Sequence, residues 1–341
     1  MLLPKGIEKH KNLNTSFTKF EQLLQDLAEN RFSGYMILTF WGYEGILVLD
    51  TGHIIEASST TDEVKLNGER AVLQILAKAE DPDGVIEVYE LPSEVALALG
   101  YAMQASLEKS QFEMSNYTLG QVFDMLENQS MTGFVDLEFS ANKGFGTVFY
   151  LEGTPVEAVI MSNSGKIISG EQVYMKFLEI GEMIQPRVTV YSVNDPKPLV
   201  EEQTFLIPWQ HDKFLAFWNE LLQYLHTLIS DQSKKQKFLE NFRKICSSIS
   251  DHYPFLHPET GRVKWDYETF RVERILPLRI FLQGMSLALN RLVHQVPSRR
   301  LRKLSLSQIT QEVGDIAQKY DISNNQLEPQ KFVYQIFRGL L

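Results

Sequence analysis

Two glutamates, two histidines, one cysteine, a Gly-Lys step and a basic run are the parts of this sequence whose residue types could do chemistry. Glu56 and Glu157 occupy matching places, each followed by an alanine, Ala57 and Ala158. Two carboxylates divide acid and base work only if both reach one substrate, and their spacing gives no reason for that. They read instead as wet-face strand residues, each ahead of a small residue that packs under a helix. His252 and His257 flank Pro254, which breaks the regular spacing that would set both on one face. A zinc site needs further ligands, so both read as structural or surface histidines. Cys246 falls beside Ile245 and Ile249 on an apolar face and reads as a small buried hydrophobe. Gly165-Lys166 lacks the upstream glycine of a phosphate loop and is followed by Ile167 in place of Ser or Thr. Asn142–Gly146 suits a hairpin tip. With no nucleophile elbow, His-Glu-x-x-His pair or Cys-x-x-Cys, the residues predict no catalytic centre, cofactor or metal.

Arg299, Arg300, Arg302 and Lys303, with Arg279 and Arg291 upstream, form the tight cationic run and the candidate interaction site. Such a run meets phosphates or an acidic partner. Leu304–Phe337 has helix-turn-helix spacing about Tyr320–Ser323. The segment that would enter a groove, Asn324–Gln330, carries Glu328 and Pro329 and no arginine to read guanine. The run therefore reads first as a solvated loop, then as a docking element for an acidic protein surface, and last as a nucleic-acid contact.

The elements that must position these residues follow from pattern. At 341 residues the chain should hold two or three domains, at roughly 150 residues each. Residues 1–204 hold 14 Lys+Arg against 30 Asp+Glu, and residues 205–341 hold 19 against 13, so an acidic front joins a basic rear. The longest apolar stretch, Val95–Met103, is far short of the roughly 20 residues that span a membrane. Lys5, Lys9 and Lys11 without an apolar core argue against a secretory signal, and one cysteine fits a reducing cytoplasm.

A segment beginning at Phe32-Ser33-Gly34-Tyr35 occurs twice. Gly34, Gly52, Glu56-Ala57, Gly68-Glu69 and Val88-Tyr89 recur as Gly133, Gly153, Glu157-Ala158, Gly170-Glu171 and Val190-Tyr191. Phe17, Phe20, Leu23, Leu24 and Leu27 predict an opening helix capped by Thr15 or Ser16. Thr118-x-x-Gln121 predicts the capping box of its counterpart. Val135, Leu137 and Phe139 alternate with Asp136 and Glu138, as on a strand with one wet face. Polar loops are expected at Ser58–Lys65 and Ile160–Ser169, and an Ala- and Leu-rich helix at Ser93–Lys109. Beyond Pro208 the apolar period becomes 3.6, with Tyr253–Glu268 irregular. The expected fold class is α+β. Two tandem helix–β-hairpin–helix–strand modules occupy 1–92 and 113–193, joined by a connecting helix within 93–112. A linker at 194–208 leads to an all-α, basic helical bundle over 209–341.

This order of helix, Ser33-Gly34 or Thr132-Gly133, hairpin with Thr51-Gly52 or Glu152-Gly153, Glu-Ala, Gly-Glu-opened helix and strand resembles the PATAN-type domain. That domain is the N-terminal module of PatA-like bacterial response regulators. The resemblance covers about residues 15–92 and 115–193. It implies a non-catalytic, protein-binding module of bacterial signalling and transfers no catalytic residue.

The expected function is that of a non-catalytic cytoplasmic adaptor or regulator working through a protein partner, with homo-oligomerisation left open and no membrane insertion. Two alternatives stand beside it. One is a small-ligand or nucleotide sensor with a cleft between the modules, and the other a DNA-binding regulator using the basic half.

Overall fold

Period-2 apolar segments joined by Gly-containing turns form antiparallel strands wherever a partner strand lies beside them. The computed structural model describes residues 1–111, 116–139, 144–199, 203–207, 212–230, 234–297 and 304–339, with the backbone alone for 106–111. It is a mixed α/β chain with antiparallel sheets, dividing into the units Met1–Thr204 and Phe205–Leu341. Among the described residues no helix is long and apolar enough to cross a membrane.

The first unit opens with β1 (Ile7–Asn14), α1 (Phe20–Glu29), β2 (Gly34–Phe40), β3 (Tyr43–Asp50), β4 (His53–Thr61), β5 (Lys65–Asn67), α2 (Gly68–Lys78) and β6 (Val85–Glu90). Its sheet runs β1-β6-β2-β3-β4-β5. After α3 (Ser93–Gln104) come β7 (Ser106–Gln111), α4 (Leu119–Asn128), β8 (Gly133–Phe139), β9 (Gly144–Leu151), β10 (Thr154–Met161), β11 (Ile167–Ser169), α5 (Glu171–Met183) and β12 (Arg187–Ser192). The second sheet runs β7-β12-β8-β9-β10-β11.

Each sheet has two covered faces. Tyr35, Val48 and Ile55 of the first and Phe134, Phe149 and Val159 of the second share one core with Val95, Leu99 and Ala102 of α3. Because strand side chains alternate, the opposite faces belong to other helices. Ile75 of α2 lies against Gly45, and Val122, Phe123, Val173 and Phe177 of α4 and α5 pack with Val135, Leu137 and Val148. The α3 helix is buried on several sides through Ala96, Ala98 and Gly100, where a side chain would strike Leu199 and Ile55. Its start is pinned by Asp50, which accepts from Ser33 Oγ (2.8 Å) and Ser93 Oγ (2.6 Å).

Several expectations change here. The opening helix begins at Phe20 after an uncapped Lys19, and Phe17 stands outside it, because Ser16 accepts from Asp83 N–H and Thr15 from Gly84 N–H instead of capping a helix. The connecting helix ends at Gln104 and the chain enters β7, where pairing with β12 overrides helical propensity. The polar N-terminal segment is itself a strand, β1, paired with β6. The loop expected at Ser58–Lys65 is half taken up by β4, which runs to Thr61 before edge strand β5 starts at Lys65, and the loop expected at Ile160–Ser169 contains edge strand β11. Asp136, expected on a wet face, is buried, accepting from the Met1 amino group (3.1 Å) and Thr147 Oγ1 (2.7 Å). The capping box at Thr118 and Gln121 forms as expected.

The second unit contains β13 (Leu206–Ile207), α6 (Asp212–Ile229), α7 (Lys235–Ile249), β14 (Val263–Trp265), β15 (Phe270–Val272), β16 (Leu276–Pro277), α8 (Leu278–His294), α9 (Leu306–Lys319) and α10 (Pro329–Phe337). It is therefore helical but not all-α: β13 pairs with β16 and β14 with β15, antiparallel in both cases. The segment read as irregular turns back at Asp266, whose carboxylate accepts from Glu268 and Thr269 N–H groups, so β14 and β15 can pair. Trp218 of α6 sits among Phe214, Phe270, Phe281 and Phe332 with ring centroids 5.0–6.1 Å apart.

Leu99 is fully buried among both sheets, so Leu99→Ala is expected to cost the first unit about 2–5 kcal/mol. Urea titration with an unchanged m-value would show it; a shift under about 0.5 kcal/mol would mean that α3 is not a core helix.

Candidate interaction surface

Of the side chains that could have done chemistry, Glu56, Glu157, His257 and Cys246 are occupied with structure. Glu56 Oε1 accepts from Ala57 N–H (2.9 Å) and Gly68 N–H (3.1 Å), and its other oxygen accepts from Gln104 of α3. Glu157 Oε1 accepts from Ala158 N–H (2.8 Å) and Gly170 N–H (2.6 Å). Each carboxylate thus ties β4 or β10 to the N-terminal end of α2 or α5, where backbone donors lack intrahelical partners and negative charge is favoured. Glu56 is 7% exposed, so it is a buried brace and not the wet-face residue expected.

His257 Nδ1 accepts from Thr260 N–H at 3.2 Å and closes a turn, while His252 is exposed. Among the described residues no group of three or more His, Cys, Asp or Glu side chains is disposed to hold a metal ion. Cys246 is buried, and burial pushes its thiol up to about 12, out of reach of thiolate chemistry at neutral pH. Gly165 has φ 76° in the β10–β11 turn, with Gly165 N–H donating to Ser162 O. Gly144, Phe145 and Gly146 lie on β9, and the rest of the expected tip, residues 142–143, falls outside the described residues. Arg299, Arg300, Arg302 and Lys303 also lie outside the described residues. Of the upstream pair, Arg291 donates to Ser248 Oγ (3.2 Å) and Arg279 is exposed on α8. The interval between the two sheets, where a cleft had been an alternative, is occupied by α3.

What stands out in the first unit is the end of its sheet at the β2–β3 turn. Trp41 is fully exposed there, and Phe17 is 92% exposed. Pairing places them together: Val85 is opposite both Asn14 of β1 and Thr39 of β2, so the segments that carry Phe17 and Trp41 leave the sheet at the same end. Val64, half exposed in the β4–β5 turn, joins them, because Tyr43 pairs with Thr61 and Gly42 lies against Asp62. Beneath Trp41, Phe40 is covered by Lys78, whose Nζ stands 4.6 Å from the ring centroid and pairs with Asp81 at 2.8 Å. Asp62, Glu63, Asp81 and Asp83 give the rim an acidic character. The sequence carried a signal for this surface in Trp41-Gly42, an aromatic residue at a turn, where alternation cannot carry it inward. Phe17 was concealed by its helical spacing from Phe20 and Leu24.

Burial holds the Glu157 carboxyl above its ordinary value of 4.5, against the lowering effect of its two backbone donors. The folded chain then keeps this proton to higher pH than the unfolded chain, so stability falls as pH rises from 4.5 through the raised folded value. Glu157→Gln is expected to flatten that decline in urea midpoints between about pH 4 and pH 7, and a slope equal to that of the parent chain would refute the assignment.

No curated protein and no solved structure matches this chain. A family match over residues 1–100 replaces the resemblance to the PATAN-type domain, and with it the bacterial signalling setting drawn from PatA-like response regulators. The markers behind that resemblance answer to backbone geometry. A Cβ at Gly34 or Gly133 would lie 2.1 Å from the carbonyl oxygen of Tyr89 or Tyr191, and Gly52 and Gly153 have φ 85° and 83°. Hairpins of unrelated proteins impose the same demand. Residues 1–100 are similar to the family described as "Uncharacterized protein conserved in archaea (DUF2226)".

Proposed function

We propose that this protein is a non-catalytic adaptor that binds a protein partner through the Trp41 end of its first sheet. The observation that carries the reading is that Trp41, Phe17 and Val64 are all exposed at one end of the first sheet, Trp41 on the β2–β3 hairpin turn. Exposed aromatic residues grouped on rigid elements serve as binding anchors, and Trp contributes most often. The acidic rim favours a partner that offers an apolar socket bordered by lysine or arginine. This surface lies within the residues of the family match, which supports a role for the first sheet itself. The commitment of Glu56 and Glu157 to backbone donors supports a non-catalytic reading.

The finer architecture belongs to the same proposal. Residues 1–92 and 113–193 carry two copies of one helix–hairpin–helix–strand module, each sheet completed by a preceding edge strand, β1 or β7; 93–112 joins them through α3, and 194–208 leads through β13 into the second unit. The shared strand order supports this, as do the matched geometries of Gly34 with Gly133 and Glu56 with Glu157. The basic helical unit that follows is a second contact element.

Full-length protein is expected to retain a stoichiometric partner from native lysate. Phe17→Ser with Trp41→Ser should weaken that complex by about 2 kcal/mol or more, roughly thirtyfold in affinity, with the unfolding midpoint unchanged. Equal recovery of the same proteins by parent and variant, or no partner for either, would overturn the reading.

A further inference from the structure

A strand at the edge of a sheet carries a row of backbone N–H and C=O groups without partners, and proteins guard such rows with charge or irregular pairing. Among the edges whose side chains are described, two are guarded. β1 carries Glu8, Lys9, His10 and Lys11 and breaks its register with β6 at two places. β5 begins with Lys65. β11 takes the place of β5 in the second sheet and, counted back from Gly170 as Lys65 is from Gly68, has Ile167 in that position. Ile167 and Ile168 are 36% and 44% exposed, and from Ser162 to Gly170 the one charged residue is Lys166.

The inward bonds of β11 define its outward row. Gly170 N–H donates to Ala158 O and Ser162 N–H donates to Lys166 O, each at 3.0 Å. Residues of an antiparallel strand alternate between bonding to one side and to the other. Lys166, Ile168 and Gly170 therefore bond toward β10, while Ile167 and Ser169 turn their N–H and C=O groups outward. Ser169 engages Lys5 O (3.3 Å) with its hydroxyl and leaves its main chain open. A Cβ placed on Gly165 or Gly170, which flank the strand, would meet no atom within 4 Å, so there is room at both ends.

We infer that β11 is the contact through which two copies of this chain associate, antiparallel and about a two-fold axis at Ile168. In that register Ile167 of each copy exchanges both backbone hydrogen bonds with Ser169 of the other, and the two Ile168 residues form the closer central pair. The register also matches charge. Lys166 and Glu171 are exposed at opposite ends of the strand, so each Lys166 falls opposite Gly170 of the second copy and next to its Glu171. An unrelated strand would supply the hydrogen bonds without both charge pairs, whereas a second copy supplies them by symmetry. So short a strand makes a weak, concentration-dependent dimer. This edge is distinct from the Trp41 surface and lies outside the family match.

Sedimentation equilibrium of the full chain tests the pairing. A monomer–dimer equilibrium with Kd below about 100 µM is expected. Ile168→Lys sets two like charges face to face and should weaken association at least tenfold, with the melting temperature kept. Lys166→Glu and Glu171→Lys should each weaken it roughly tenfold, because either one turns both charge pairs into like-charge contacts. An equimolar mixture of those two variants regains both pairs and should associate as tightly as the parent, a rescue that misfolded chains could not give. Phe17→Ser with Trp41→Ser should leave the dimer as it is. A parent chain monomeric to about 300 µM, a dimer indifferent to Ile168→Lys or lost with the Phe17 and Trp41 substitutions, or a mixture no tighter than either variant alone would rule the pairing out.

Discussion

The first 204 residues depend on the burial of one short helix between two sheets. The α3 helix places Val95, Leu99 and Ala102 in a core shared with Val48 and Ile55 from one sheet and Phe149 and Val159 from the other. A helix packed on opposite sides cannot carry large side chains all round, and Ala96, Ala98 and Gly100 meet that constraint. The polar ends are fixed as firmly as the middle. Asp50 collects the hydroxyls of Ser33 and Ser93 at the start, and Tyr101 donates to Lys197 O and accepts from Leu199 N–H near the end. Buried polar groups satisfied in this way specify one arrangement of helix and sheets.

That arrangement decides which residues remain for binding. With one face of each sheet against α3 and the other under helices, neither sheet keeps an open face in its middle. Large exposed side chains are left to turns and ends, and there the first sheet exposes Trp41 and Phe17. The same logic explains the glutamates. A carboxylate that accepts two backbone N–H groups at the start of a helix is held by its geometry, and such a group is poorly placed to exchange protons with a substrate.

The second unit solves its packing differently, around a cluster of rings with Trp218 at the centre. Its short strand pairs and its turns are tied to the helices by side chains. Trp265 Nε1 donates to Asn219, and Tyr320 and Lys319 both donate to Glu220, holding that carboxyl below its usual range.

The strong periodicities were legible without coordinates. The 3.6-residue period beyond Pro208, the capping box at Thr118 and the strand through Val135, Leu137 and Phe139 lie where pattern and cap chemistry place them, since these depend on neighbours a few residues away. Three things depended on partners far along the chain and were decided only in three dimensions. The polar segment Ile7–Asn14 and the tail of an Ala- and Leu-rich stretch became strands because β6 and β12 offered edges to pair with. Asp136 and Glu56, polar residues on alternating strands, were buried because a distant amino group, an amide and helix-start N–H groups met them there. Phe17 and Trp41, 24 positions apart, became one surface through the register of β1, β6 and β2. Local pattern determines which elements form, and long-range pairing and burial determine which side chains those elements leave free to bind.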